Sequence, residues 1–167
     1  MDSGTITYVP LVKLYAVREK ELPYGKRALR NPEKVVEFAG QFLENADKEH
    51  VLVIAMDAKS KPVGLEVVAI GAVNKAAVEL RDIFKYAILS NAFGIIVVHN
   101  HPSGNPDPSS EDCVLTEKVQ EAGGLLGIPL LDHIILGEEG NYFSFAESSK
   151  QIKCRRKKGG NEGCQQM

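Results

Sequence analysis

The sequence lacks any apolar run near the ~20 residues that a helix needs to cross a bilayer. Its opening residues hold no apolar block followed by a small-residue cleavage site, so no secretory signal is read and a cytoplasmic location is expected. Cysteine is scarce: Cys113, Cys154 and Cys164 are an odd set, and the last two lie in a polar C-terminal stretch. A disulfide framework needs a denser, even set, which leaves reduced thiols as the reading. Cys154 and Cys164 also have no third Cys or nearby His to complete a zinc site. There is no internal repeat, and no low-complexity segment before the tail. Basic charge is thin over most of the chain. Residues 1–150 hold 15 basic against 21 acidic residues, net −6, whereas residues 151–167 hold five against one, net +4. An acidic body argues against a broad nucleic-acid-binding face. The run Arg155–Lys158 reads as a solvated terminus able at most to touch phosphates.

What is present suits one soluble domain: 167 residues, 44% apolar and 25% charged. Three regions are expected: an arm over residues 1–30, a folded domain over 31–147, and a basic tail without a fold over 148–167. Within the arm, Thr5–Val17 is alternating or apolar and reads as an extended arm or edge strand that can pair with another chain's sheet edge. Asn31-Pro32-Glu33 is a helix start, with Asn as N-cap and Pro in the first turn, and Val35, Phe38, Ala39, Phe42 and Leu43 follow at helical spacing. Val51–Met56 is a buried strand, and Val63–Val73 its hairpin partner. Ala76–Leu89 is an amphipathic helix. Gly94–Val98 is a third strand that runs into His99. A helix follows, capped by Ser109 or Ser110 and loosened or ended by Gly123-Gly124. Leu130–Leu136 and Tyr142–Phe145 are the last strands. This order predicts a mixed α/β sheet with hairpins.

The informative segment is His99-Asn100-His101-Pro102-Ser103-Gly104-Asn105-Pro106-Asp107-Pro108-Ser109-Ser110-Glu111-Asp112. Residues two apart in extended chain point to one side, so His99 and His101 converge at a strand end. The Pro/Gly-rich loop turns the chain back, and Ser109-x-x-Asp112 places a carboxylate in the opening turn of the next helix. Two imidazoles and one carboxylate make a three-ligand zinc set whose fourth position is open, as catalytic sites require. His-x-His alone is a weak signal. Its rival reading is a loop pair beside a capping Ser and an Asp favoured by the helix dipole.

The whole fourteen-residue segment resembles the JAMM (JAB/MPN) metalloprotease motif, His-x-His-Pro followed by Pro-Ser-x-x-Asp. The Ser103-Gly104 pair and the later Leu131-Asp132-His133-Ile134-Ile135 are similar, more narrowly, to the RadC family. The resemblance runs from about Asn31 to Glu147. It implies a JAB/MPN (cytidine-deaminase-like) fold, a mixed β-sheet flanked by helices, in a short form without the N-terminal helix-hairpin-helix region. It further implies zinc on His99, His101 and Asp112, a general base just before the first core strand, and a Ser that supports the oxyanion. Glu49 and Ser109 are the matching positions, with Glu66 on the next strand the rival base. Beside these readings stand plainer ones: a loop carboxylate for Glu49 and a helix cap for Ser109.

His133 is redundant with a complete ligand set and is expected to support the ligands from behind. Cys113 reads as a small buried hydrophobe, and Asn100 and Ser103 as loop-shaping residues. The function expected is a zinc-dependent hydrolase of JAMM type that cleaves a peptide or isopeptide bond. The other reading is a RadC-like DNA repair or recombination accessory that contacts DNA through the tail, with the zinc site structural or nucleolytic. A metal-free scaffold is disfavoured by the intact His/His/Asp set.

Overall fold

Two β-branched runs form the centre of the molecule. β1 (His50–Met56) and β3 (Gly94–Asn100) are buried along almost their whole length, as strands covered on both faces must be. The computed structural model describes residues 10–22, 24, 28–43, 46–71 and 78–148. β2 (Pro62–Ile70), β4 (Leu130–Leu136) and β5 (Tyr142–Ser144) complete a five-stranded sheet in the order β2-β1-β3-β4-β5. All neighbours are antiparallel except β3 and β4, which are parallel. The expected mixed α/β sheet is therefore present.

Side chains alternate across the strands, and each parity has its own layer of helix. Leu52, Ile54, Met56, Ile96 and Val98 meet α1 (Pro32–Leu43) through Val35, Phe38, Ala39 and Leu43. Val51, Val53, Ala55, Ile95 and Val97 meet α2 (Leu80–Leu89) and α3 (Ser110–Leu126) through Ile83, Phe84, Ala87, Leu115 and Val119. Burying whole Leu, Ile, Val and Phe side chains contributes roughly 1.5–3 kcal/mol each, so these two layers dominate the folding free energy. His99 has the parity of Val97. It must face α3.

The start of α1 is as expected: Asn31 Oδ1 accepts the Lys34 N–H at 3.3 Å. Several boundaries differ from the sequence reading. Residues 10–17 form no strand and are exposed, so the edge-strand reading of the arm fails there, and residues 5–9 lie outside the described residues. β2 ends at Ile70, short of Val73, while residues 72–77 are not described. α2 begins at Leu80 because Glu79 is its extended N-cap, with φ −85° and ψ 140°. α3 does not stop at Gly123-Gly124. It runs to Leu126 and ends on left-handed Gly127 at φ 69°. Gly123 is a packing glycine, since a Cβ there would lie 2.6 Å from the Ile128 carbonyl oxygen. Phe145 leaves the strand and opens a single helical turn, α4 (Phe145–Ser148). Asp132 Oδ1 takes the Ala146 N–H at 2.9 Å and Ser144 Oγ takes the Glu147 N–H at 3.2 Å, supplying partners that a further strand would have had to provide. Among the described residues no helix is long and apolar enough to cross a membrane.

Candidate metal centre

The site sits where β3 ends and α3 begins, at the carboxyl end of a strand paired in parallel with β4. His99 is fully buried between Val51 of β1 and Ile135 of β4. The His101 N–H donates to the Leu136 carbonyl at 2.9 Å, which keeps the chain extended one step beyond the strand. The two imidazoles therefore fall on one side, with Nε2 atoms 3.1 Å apart. Gly104, at φ 79°, then turns the loop, its N–H donating to the His101 carbonyl at 2.9 Å.

Ser109 caps α3 in a reciprocal box. Its Oγ accepts the Asp112 N–H at 3.1 Å, and Asp112 Oδ2 accepts the Ser109 N–H at 2.8 Å and hydroxyl at 2.6 Å. The box holds the carboxylate against the histidines: Asp112 Oδ1 lies 3.2 Å from His99 Nε2, and Oδ2 lies 3.5 Å from His101 Nε2. Glu49, just before β1, brings Oε1 to 4.0 Å from His99 Nε2. One ligand atom from each of Glu49, His99, His101 and Asp112 lies within 4.8 Å of the other three.

Asp112 Oδ1 is buried and has no hydrogen-bond partner. A buried carboxylate oxygen without a donor is costly unless a positive charge faces it. Burial pushes the Asp112 carboxyl up, but the His99 imidazole 3.2 Å away and the hydrogen bonds from Ser109 hold it well below the usual carboxylate range. An ionised carboxylate beside two imidazole nitrogens is a nitrogen-and-oxygen donor set that fits a zinc-like divalent cation.

The family model for the RadC-like JAB domain matches residues 29–151. The chain belongs to that family. Its five-stranded mixed sheet flanked by helices is the JAB/MPN arrangement. It is similar to UPF0758 proteins of Thermotoga maritima (39% identical over 158 residues, 89% of this chain and 70% of the relative) and Desulforamulus reducens (44% over 124 residues, 74% and 54%). The UPF0758 protein of Caldanaerobacter subterraneus is 41% identical over 111 residues, 66% of this chain and 48% of its own length. The chain thus spans about half the length of most of these relatives.

All five site residues read from the sequence of this RadC-like JAB chain lie at the α3 end of β3: His99, His101 and Asp112, with Glu49 and Ser109 beside them. Glu66, the rival base, is elsewhere. It pairs across the strands with Val53, about 13 Å along β1 from Glu49 at ~3.3 Å per residue, and faces Lys85 and Asp82 of α2. Burial raises its carboxyl above the usual range.

Asn100 does something different from shaping the loop. It points to the α1 side, where its Oδ1 accepts the His50 N–H at 2.8 Å and its Nδ2 donates to the Lys48 carbonyl at 3.0 Å. The two bonds clamp the main chain on either side of Glu49. Gly71 N–H adds a third tie, donating to the Glu49 carbonyl at 2.7 Å. Behind His99 stands His133, Nε2 to Nδ1 at 2.9 Å, with its own Nδ1 2.6 Å from Thr116 Oγ1. His133 therefore supports a ligand, as expected, and Phe145 stacks on its ring at 5.0 Å. Burial and the neighbouring His99 push the His133 pKa down to about 3. Thr116 was not singled out in the sequence, although its i+4 spacing from Asp112 puts both on one helix face. Cys113 is half-buried, not a core residue. Cys154, Cys164 and the basic run lie outside the described residues.

Proposed function

We propose that this domain is a zinc-dependent hydrolase of JAMM type that cleaves a peptide or isopeptide amide. The observation that carries the reading is the convergence of Glu49, His99, His101 and Asp112 around a buried carboxylate oxygen without a donor. His99, His101 and Asp112 would hold zinc. When bound there, zinc supplies Lewis acidity toward an amide carbonyl and lowers the pKa of a water in the remaining position.

Glu49 is suited to move that water's proton. Its carboxylate stands farther from His99 Nε2 than Asp112 does, 4.0 Å against 3.2 Å, and its side chain keeps 14% exposure, so water and substrate reach it. It takes the proton during attack and returns it to the leaving amine. Ser109 lies at the exposed lip of the site. Its hydroxyl donates to Asp112 Oδ2 and would support an oxyanion once re-aimed at substrate. The RadC-like family and the donor set support this reading. So does the placement of the site at an open strand end.

The test pairs metal content with turnover. The purified chain is titrated with zinc chloride and then incubated with a peptide library derived from a cell proteome and with isopeptide-linked lysine substrates. One zinc per chain is expected, with cleavage that Glu49→Gln abolishes while it retains the zinc. Loss of zinc in Glu49→Gln would make Glu49 a ligand and remove the base. Wild-type cleavage by Glu49→Gln would sink the mechanism.

A further inference from the structure

The sheet has one long open edge. Its order leaves β2 and β5 outermost, and β5 is only three residues long, whereas β2 runs for nine. Such an edge presents main-chain N–H and C=O groups with which another strand can pair. Between Gly64 and Val67 the register on β1 is regular: Gly64 and Glu66 lie opposite Ala55 and Val53, and Leu65 and Val67 opposite Ile54 and Leu52. Leu65 and Val67 therefore share the α1 side of the sheet, and Gly64 and Glu66 the α2 side. Glu66 is the one charge in this stretch. Its Oε2 is buried and has no hydrogen-bond partner among the described residues, while Lys85 of α2, which faces it, is bonded to Asp82 at 2.8 Å. A charge turned inward on an edge strand ordinarily deters pairing. It is costly beneath a strand that brings no donor and favourable beneath one that brings a cation.

The same chain carries a segment of that second kind. Leu11–Val17 is apolar except for Lys13. It forms no strand in its own copy, and Leu11, Val12, Leu14, Tyr15 and Val17 each keep at least 70% exposure. Single apolar residues at a surface are ordinary, but five within seven positions make a patch of the kind that marks an interface. Lys13 Nζ lies 5.3 Å from the centre of the Tyr15 ring, so these two already share a side, as alternate residues of an extended chain do. Extended fully, the seven residues span ~23 Å, which fits within the ~30 Å of β2.

We propose that Leu11–Val17 of one copy adds to β2 of a second copy as an antiparallel sixth strand, with Lys13 opposite Glu66, and that the exchange is reciprocal. This register sets Val12 opposite Val67 and Leu14 opposite Leu65, which extends the apolar layer on the α1 side. Tyr15 falls opposite Gly64, beside the Tyr86 ring that fills the space a Gly64 Cβ would take. A parallel strand with the same Lys13–Glu66 pair would put Tyr15 opposite Val68, away from Tyr86. A slip of one residue would turn Lys13 to the apolar side and leave Glu66 facing Val12 or Leu14. The occupant is a second copy because the arm stands off its own sheet, and a two-fold exchange covers both arms and both edges at once.

The test joins sedimentation velocity of the full chain to amide hydrogen exchange at high and at low chain concentration. A dimer is expected, with residues 11–17 and 62–68 protected only at concentrations where it forms. Lys13→Glu sets carboxylate against carboxylate in both halves and should raise the dimer dissociation constant at least about tenfold. Adding Glu66→Lys to Lys13→Glu reverses both charges and should restore the dimer. A chain that stays monomeric, or a dimer that Lys13→Glu leaves unchanged, overturns the proposal. So does protection of the arm that does not vary with concentration, which would put it on its own sheet, and so does a folded double variant that dimerises as weakly as Lys13→Glu. Lys13 is exposed, so Lys13→Glu keeps the fold and decides the matter even if the double variant does not fold.

Discussion

Replacing Asn100 by alanine separates positioning of the base from metal binding. The residue is 8% exposed, and its side chain makes two bonds to main chain, 2.8 Å to the His50 N–H and 3.0 Å from Nδ2 to the Lys48 carbonyl. Each bond contributes about 1 kcal/mol net, and a half-buried N–H left without a partner adds to the loss. Lys48 is exposed, so water can replace the bond to its carbonyl, which keeps the total near ~2 kcal/mol. The segment freed is the one that carries Glu49. Because a displacement of ~1 Å at a catalytic group can lower a rate about 100-fold, kcat should fall roughly 10–100-fold. Zinc affinity should hold, since Asn100 points away from His99, His101 and Asp112. Urea denaturation, zinc competition and turnover on any substrate that wild type cleaves provide the three readings. Asn100→Asp keeps the acceptor for His50 and loses the donor to Lys48, so its stability should fall between the other two. Unchanged stability in Asn100→Ala, or zinc affinity lost in step with activity, would refute the clamp.

The Asp112 carboxyl is held below its ordinary range, so its contribution to stability is complete above pH ~4 and is lost as pH falls toward the depressed folded value. Acid unfolding monitored by circular dichroism in chelator should therefore be less steep for Asp112→Asn than for wild type; an identical profile would contradict the assignment. Gly123→Ala should destabilise by about 1–3 kcal/mol, because its Cβ would meet the Ile128 carbonyl oxygen at 2.6 Å. Gly124→Ala, in the same helix with nothing within 4 Å of the new Cβ, should instead stabilise by roughly 0.5–1 kcal/mol. Thermal melts of the pair check the sign of both. Zinc added to the wild-type chain should raise its melting temperature, and His99→Ala should remove that rise, since an ion bound only by the native state stabilises by mass action.

The sequence by itself determined the parts of this molecule that depend on neighbours in the chain. Period-two alternation put His99 and His101 on one side of a strand end, and the Ser109-x-x-Asp112 box brought a carboxylate back to them. Glu49 could be matched only through a family resemblance, because nothing local distinguishes it from Glu66. Register decided between them: Val51 pairs with His99, which brings the residue before β1 to the site, while Glu66 pairs with Val53 and is carried away. Parallel pairing of β3 with β4 sets His133 opposite Val97 and hence behind His99, and α3 then adds Thr116. Local signals also misled where a tertiary partner intervened, as at Gly123, which packs against Ile128 where a helix end was expected, and at Phe145, where Asp132 caps a new turn. Spacing and capping are short-range physics written within a few residues. The base, its clamp and the histidine behind the ligands depend on hydrogen bonds between strands tens of residues apart, which exist only once the sheet has formed.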